Sequence, residues 1–497
     1  MTPTPQQDDF YRALLGTTAN IALVARAGCG KTTTIIGGVQ ALLRNNPRLE
    51  IMVCAYNKAI NDEVEAKFKA LGLTDWRQLS CKTLHGAGFG LLRFAFNNPK
   101  VDDKKVRNLI DAQNDGVYAQ YGSQIGQLVR YAKQAGFGFF NDVPIGSVDA
   151  WHQLADHFDV NGLDETDDAD AVVEAAQVIY RASLSQTDII DYDDMVLLPL
   201  VKNLRVKFAK DVVFVDEAQD LSRARQALAR KFVKPHTGRM IIVGDDKQAI
   251  YGFSGADAAA LPNLIEALNA TVLPLSVTWR CPKAVVALAQ GLVPDIEAAS
   301  GAPEGSVTYV DELPDDLGPD DFIGCRNTAP LIKIAYKLIR AGKPCKVEGR
   351  AIGEGLQLMV RRWKVKTIDA LLNRLDAYRD REVQKALAKN NDAKVEEIED
   401  KVATLVEICN AVLAKGLTGV ADVSAFIDNL FADGATGVTI LATYHRLKGR
   451  EADRVFLWEH SSRCPSKAAR QPWALAQEAN LAYVAFTRAK KSLVFVG

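Results

Sequence analysis

The chain has 497 residues, 48% of them hydrophobic and 24% charged, a balance that suits several globular domains and excludes a largely disordered chain. Its 60 basic and 61 acidic side chains leave a formal net charge of −1. That gives no support to binding nucleic acid by bulk attraction, although a grip confined to a groove needs only a local positive lining. The eight cysteines are scattered without a CxxC pair, which argues against structural zinc or an iron–sulfur cluster and fits reduced thiols in a cytoplasmic protein. Met1–Phe10 is polar and lacks the apolar core of a signal peptide, and no apolar run approaches membrane-spanning length.

Short apolar runs that read as buried strands come first at Ile21–Ala25, Ile51–Cys54, Val212–Val215 and Met240–Val243. They return at Val307–Val310, Phe322–Cys325, Val438–Ala442, Val455–Trp458 and Leu493–Val496. Helical patterns separate them, so an α/β fold is expected, with mostly parallel sheets covered by helices on both faces. Two stretches break the rhythm. From about 91 to 185 the pattern is helical and loop-like, with an acidic cluster at Asp164–Asp170. From about 363 to 432 it is helical and charged, as in Lys394–Asp400 (KVEEIED). Both read as helical insertions, and the Pro- and acid-rich Asp311–Asp321 reads as a loop. No internal repeat is evident.

The first strand run leads into Arg26-Ala27-Gly28-Cys29-Gly30-Lys31-Thr32-Thr33 and then a helical pattern. Strand, glycine-rich turn and helix together are the setting that a phosphate-binding loop requires. Gly28 and Gly30 let backbone N–H groups curl around phosphate oxygens, and the helix N-terminus adds a favourable dipole. Lys31 is then expected to reach the β- and γ-phosphates, and the Thr32 hydroxyl to join a Mg²⁺ shell. The position where such loops usually begin with Gly holds Ala25. Val212–Val215 runs into Asp216-Glu217-Ala218-Gln219-Asp220. Carboxylates at the C-terminal end of a parallel strand lie where open α/β sheets bind ligands. Asp216 is the candidate Mg²⁺ ligand, and Glu217 the candidate base for an attacking water.

Further segments follow in chain order. They are Gln7 (with Gln6 beside it), Tyr56-Asn57-Lys58, Thr83-Leu84-His85-Gly86 and Asp191-Tyr192-Asp193-Asp194-Met195. Gly244–Gln248 leads into Tyr251-Gly252-Phe253-Ser254-Gly255-Ala256. Thr278-Trp279-Arg280, Val438–Glu451 (VTILATYHRLKGRE) and Glu478–Lys490 (EANLAYVAFTRAK) complete the set. In content and order these segments resemble the motifs of UvrD/Rep-type superfamily 1 DNA helicases, and the resemblance covers nearly the whole chain. Ser254 stands where relatives usually carry Arg, Trp279 where Tyr is commoner, and Tyr56 one residue later than the usual aromatic.

The resemblance implies two RecA-like P-loop lobes, each carrying a mainly helical insertion. Their segments fall at 1–94, 95–185 (insertion), 186–275, 276–362, 363–432 (a short insertion) and 433–497. It implies that Gln7 reads adenine, that Gln248 senses the γ-phosphate, that Trp279 stacks on the base, and that Arg280 and Arg488 meet the γ-phosphate, Arg488 as an arginine finger. Glu451 joins the nucleotide site. Tyr56, Asn57, Lys58, Thr83, His85, Tyr251, Phe253 and His445 fall on the strand side. ATP and Mg²⁺ are the implied cofactors, single-stranded and tailed duplex DNA the partners, and 3′→5′ the direction of movement. RNA satisfies the same stacking and phosphate contacts. Two other functions remain compatible with the motifs: a translocase that strips proteins from single strands with little unwinding, and a non-enzymatic DNA-binding subunit. No nuclease domain is expected after the last motif, where the chain runs into SLVFVG.

Overall fold

The computed structural model describes residues 3–497 apart from 76, 114–115, 159, 161–167, 253–258, 320, 389–391, 432–436 and 470–471. The chain divides into two compact units, one through Ser276 and one from Val277.

The first unit is built on six parallel strands: β1 (Ile21–Ala25), β2 (Ile51–Ala55), β3 (Leu79–Thr83), β4 (Val212–Val215), β5 (Arg239–Gly244) and β6 (Thr271–Leu275). Their order is β3-β2-β4-β5-β1-β6. Alternation along each strand sends side chains to two separate cores. Ile21, Leu23, Val53, Phe214 and Val243 meet the helices Pro5–Gly16, Lys31–Asn45 and Lys58–Ala70 on one face. Ala22, Cys54, Val213, Val215 and Ile242 meet Leu84–Ala95, Tyr192–Val201, Arg223–Lys231 and Ala260–Leu268 on the other. Burial on both faces is why the four central strands β2, β4, β5 and β1 read as continuous apolar runs. Two of those helices touch closely. A Cβ on Gly88 would lie 1.9 Å from the Met195 carbonyl oxygen, so only glycine fits there.

Helices Lys105–Asp111, Gly116–Ala135, Val148–His157 and Ala169–Ser185 form a third core around Trp151, whose ring centroid lies 5.1 Å from that of Phe137 and 5.5 Å from that of Tyr180. The Asp191–Met195 stretch anchors this core through buried charge. Asp194 accepts Lys105 Nζ at 2.6 Å and lies 2.7 Å from Lys133 Nζ, which also reaches Asp191 at 2.5 Å. Both lysines and Asp194 are at most 1% exposed. Asp194→Ala leaves two buried ammonium groups short of counter-charge, an imbalance that costs about 3–5 kcal/mol. The urea unfolding midpoint should fall accordingly, and a loss below about 1 kcal/mol would show that the network contributes little.

The second unit repeats the parallel design with β7 (Ser306–Val310), β8 (Phe322–Cys325), β9 (Cys345–Val347), β10 (Thr439–Thr443), β11 (Ala452–Trp458) and β12 (Ala489–Val496), ordered β7-β12-β11-β8-β10-β9. Helices Ile368–Leu387, Asp392–Leu413 and Val420–Leu430 share one core with this sheet, Leu371, Leu405 and Ile427 clustering with Ile323, Leu441 and Phe456. Asp400 ties them further by accepting the backbone N–H groups of Thr328 and Ala329, at the start of helix Ala329–Arg340. All eight cysteines are free thiols. Among the described residues, no helix is long and apolar enough to cross a membrane.

Candidate functional site

In the first unit, the loops after β1 to β5 all leave the sheet at its C-terminal edge, and apart from Gln7 in helix Pro5–Gly16 the candidate residues sit on them or in the first turns of the helices that follow. After β1, Gly28 and Gly30 take φ values of 72° and 79°, a left-handed region that L side chains rarely adopt. Gly30 caps helix Lys31–Asn45 and, lacking a side chain, makes no cap bond to its first-turn N–H groups. Ala27 and Cys29 are buried, Lys31 and Thr32 are partly exposed, and Thr33 is exposed.

Lys31 Nζ bonds to Glu217 Oε1 at 2.7 Å. Burial alone lowers the Lys31 pKa, but the charges of Glu217, Asp216 and Asp245 outweigh it and the net shift is upward. Burial, followed by repulsion from Glu217, pushes Asp216 up to about 6. Glu217 adopts φ 51° and ψ 44°, a strained conformation for a side-chain-bearing residue, which turns the chain sharply at the end of β4. Carboxylate and hydroxyl oxygens are the donor types that a hard cation such as Mg²⁺ takes, and left-handed glycines with an ammonium group suit a polyphosphate. The residues at this edge therefore fit both ligands.

The loop after β5 is held by buried charge. Asp245 is fully buried, and its carboxylate accepts Arg26 Nη1 at 2.9 Å and Gln248 Nε2 at 2.7 Å. Gln7 is buried as well. Its Oε1 accepts the Thr4 N–H, while its Nε2 donates to Thr34 Oγ1 at 2.9 Å in the helix that follows the phosphate loop. Gln6 instead pairs with Ser276 through both amide atoms at 2.8 Å.

Among the residues expected to meet a strand, Tyr56 and Tyr251 lie with ring planes 9° apart and centroids 6.3 Å apart. Asn57 caps helix Lys58–Ala70, Thr83 caps Leu84–Ala95, and Lys58 pairs with Asp62 on the surface. Tyr56, His85, Arg225 and Asp216 line one small cavity of about 10 Å³, so the acidic loop and the aromatic side of the unit adjoin. Phe253 and the neighbouring Ser254, Gly255 and Ala256 lie outside the described residues.

In the second unit, two candidate arginines converge on Thr487. Arg280 Nη1 donates to its carbonyl at 3.3 Å and Arg488 Nη2 to its hydroxyl at 3.2 Å. Arg488 is 2% exposed and also donates to the Val484 and Arg450 carbonyls. Glu451 takes Arg280 Nε at 2.6 Å, and Trp279 beside it is 57% exposed. His445 is the second residue of the short helix Tyr444–Leu447 that follows β10.

Sequence reasoning passed over several of these partners. Arg26, Gln219 and Thr487 stood inside quoted motifs without a role, and Arg225 stood outside them. Arg326, just after β8, makes a two-pronged ion pair with the buried Glu478 at 2.8–3.1 Å. The signal available for it was an Arg at the C-terminal end of a predicted strand.

Three histidines are held neutral, chiefly by burial. His85 is pushed down to about 4 with help from Arg225, and His445 to about 3 with help from Arg326 and Arg446. His460, packed among Tyr444, Phe486 and Phe495, goes to about 4. Unfolded, each titrates near its ordinary 6.5, so below that pH the unfolded chain takes up protons first. Stability should therefore fall as pH drops from 6.5 toward 5, and His460→Gln should flatten the fall. The difference between the two urea-midpoint curves isolates His460, and superimposable curves would contradict the assignment.

Comparison with known proteins matches residues 5–269 to the UvrD/REP helicase N-terminal domain and residues 360–496 to the UvrD-like helicase C-terminal domain. ATP-dependent DNA helicase Rep of Escherichia coli is 24% identical over 251 residues, 47% of this chain and 35% of that protein. DNA helicase II of Salmonella typhimurium is 23% identical over 303 residues, covering 58% and 40%. ATP-dependent DNA helicase srs2 of Schizosaccharomyces pombe is 23% identical over 298 residues, covering 54% and 32%. The matched stretch thus spans between 32% and 40% of these relatives' own lengths.

Proposed function

Because the chain belongs to the UvrD/REP helicase family, we propose that it is an ATP-driven motor on single-stranded DNA that moves 3′→5′ and unwinds duplex. One observation carries this reading: the phosphate loop, the acidic pair Asp216 and Glu217, and the rings of Tyr56 and Tyr251 belong to loops at one edge of one sheet. Lys31, Thr32, Thr33 and the backbone from Ala27 to Gly30 would hold the phosphates of ATP, and Thr32 with Asp216 would hold Mg²⁺. Gln7 and Trp279 would contact the base. Bound together, nucleotide and metal supply a cleavable phosphoanhydride and neutralise its charge.

The chain's own groups do the rest. Lys31 leaves Glu217 for phosphate oxygens, and Glu217 is then able to accept a proton from water. Gln248, Arg280, Glu451 and Arg488 respond to the nucleotide state, the two arginines by balancing negative charge at the γ-position. Tyr56, Tyr251 and Phe253 release and recapture bases, while Asn57, Lys58, Thr83, His85 and His445 hold the strand. Stacking contributes roughly 1–3 kcal/mol per base without regard to sequence, as a motor on any strand requires. Neutral His85 and His445 serve as hydrogen-bonding and packing groups rather than cations. The domain division given above is part of this proposal, with two RecA-like lobes each interrupted by helices.

Duplexes with 3′ or 5′ tails test the proposal: unwinding restricted to 3′-tailed substrates supports it, and preference for 5′ tails reverses the direction. A second reading is favoured by the helices between Ile368 and Leu430, which pack into the core of the second sheet. An insertion so committed to its lobe suits a translocase that strips proteins from single strands with little unwinding. Displacement of a strand-bound protein without strand separation would select that reading.

A further inference from the structure

Gln219 is 1% exposed and bonds to two loops at once. Its Nε2 donates to Glu217 Oε2 at 2.5 Å, and its Oε1 accepts the backbone N–H of Asp245 at 3.0 Å. Asp245 precedes the short 3-10 helix Asp246–Gln248, and its carboxylate accepts Arg26 of the phosphate loop and Gln248. Three residues after Gln248, Tyr251 lies parallel to Tyr56. A single amide therefore joins the carboxylate of Glu217 to the base of the segment that carries an aromatic ring of the strand side.

The chemistry demanded at this position is narrow. One end must donate to a carboxylate and the other must accept from an N–H, and a neutral amide of this length does both. Glutamate would present a second negative charge to Glu217, and methionine would fill the volume while making neither bond. The surroundings fix the amide further, since a Cβ on Gly244 would lie 2.5 Å from Gln219 Oε1 and 3.3 Å from the Ala218 nitrogen.

We propose that Gln219 is a positioning residue through which the strand-binding segment aims the Glu217 carboxylate, so that stimulation of hydrolysis by a bound strand runs through this amide. The inference rests on the proposed function and adds a route from track to base. Such a link is a coupling between two sites, detectable as a change in how one responds to the other.

ATP hydrolysis by the full chain, measured with and without oligothymidylate, tests it in Gln219→Met, Gln219→Glu and Gly244→Ala. In each variant the ratio of stimulated to unstimulated kcat should fall by about tenfold, within the usual range of coupling between sites. The KM for ATP and the affinity for oligothymidylate should stay within about threefold of wild type, because neither ligand is held by Gln219. A purely structural role would lower the melting temperature and leave the ratio unchanged. Gly244→Ala displaces the same amide without altering it, and serves if a Gln219 variant fails to fold. A stimulated wild type whose Gln219→Met and Gly244→Ala variants are equally stimulated overturns this inference alone. A wild type indifferent to the strand overturns the proposed function and this inference with it.

Discussion

Lys31→Ala is expected to lower ATP hydrolysis on the order of 10³-fold or more while leaving single-strand affinity within a few-fold of wild type. Two losses combine in that variant. The phosphate loop loses its ammonium group, Lys31 being the residue at the start of the helix that the left-handed Gly30 caps. Glu217 also loses the ammonium group 2.7 Å away, which leaves it beside Asp216 and Asp245 in a largely buried, negatively charged corner. Among the described residues, the polar partner of Lys31 is Glu217 and not a group expected to meet the strand, so binding of labelled oligothymidylate provides the control. Hydrolysis near the wild-type rate would contradict the assignment of this loop to the nucleotide.

Arg488→Ala is expected to lower kcat by about 10³-fold, the lower range for an arginine that meets a transferring phosphoryl group, with the KM for ATP little changed. Its environment complicates the measurement, because the guanidinium supports the carbonyls of Val484 and Arg450 and the hydroxyl of Thr487. Truncation removes one donor from each of these acceptors, although the Val484 carbonyl keeps the Thr487 hydroxyl, and a buried acceptor left unsatisfied costs about 1–3 kcal/mol. Stability must therefore be measured alongside kinetics. Arg488→Lys keeps the charge but loses the planar fork, so it should retain more stability than Arg488→Ala and still lose most of kcat. A variant of either kind that loses affinity rather than kcat would count against a role in charge balance at the γ-position.

The parallel α/β design was legible because central strands are apolar on both faces. Ile21–Ala25, Val212–Val215 and Phe322–Cys325 were each expected with the bounds observed. Within the two six-stranded sheets, the strands that escaped notice are β3, β6 and β9, and all three are edge strands. β3 (LSCKT) and β6 (TVLPL) are partly exposed, and β6 contains Pro274, a residue that edges tolerate and central strands do not. β9 is only three residues long.

For the site, motifs contiguous in sequence were readable. Contacts between distant segments were not, because nothing in Arg326 announces Glu478 and nothing in Lys133 announces Asp194. Cap residues form an intermediate case. Asn57 and Thr83 were singled out for strand contact, and each also accepts a first-turn N–H of its helix, from Ile60 and Gly86, so the same residue types serve the fold whatever else they do.

The most direct measurement of whether nucleotide and strand are linked is the steady-state rate of ATP hydrolysis by purified protein, titrated with single-stranded DNA. A rate that climbs with strand concentration and saturates is the expected result, with half-saturation near the affinity measured independently by binding. A rate that stays flat while the strand is bound would contradict the account, since the edge that joins Glu217, Gln219 and Tyr251 would then transmit nothing.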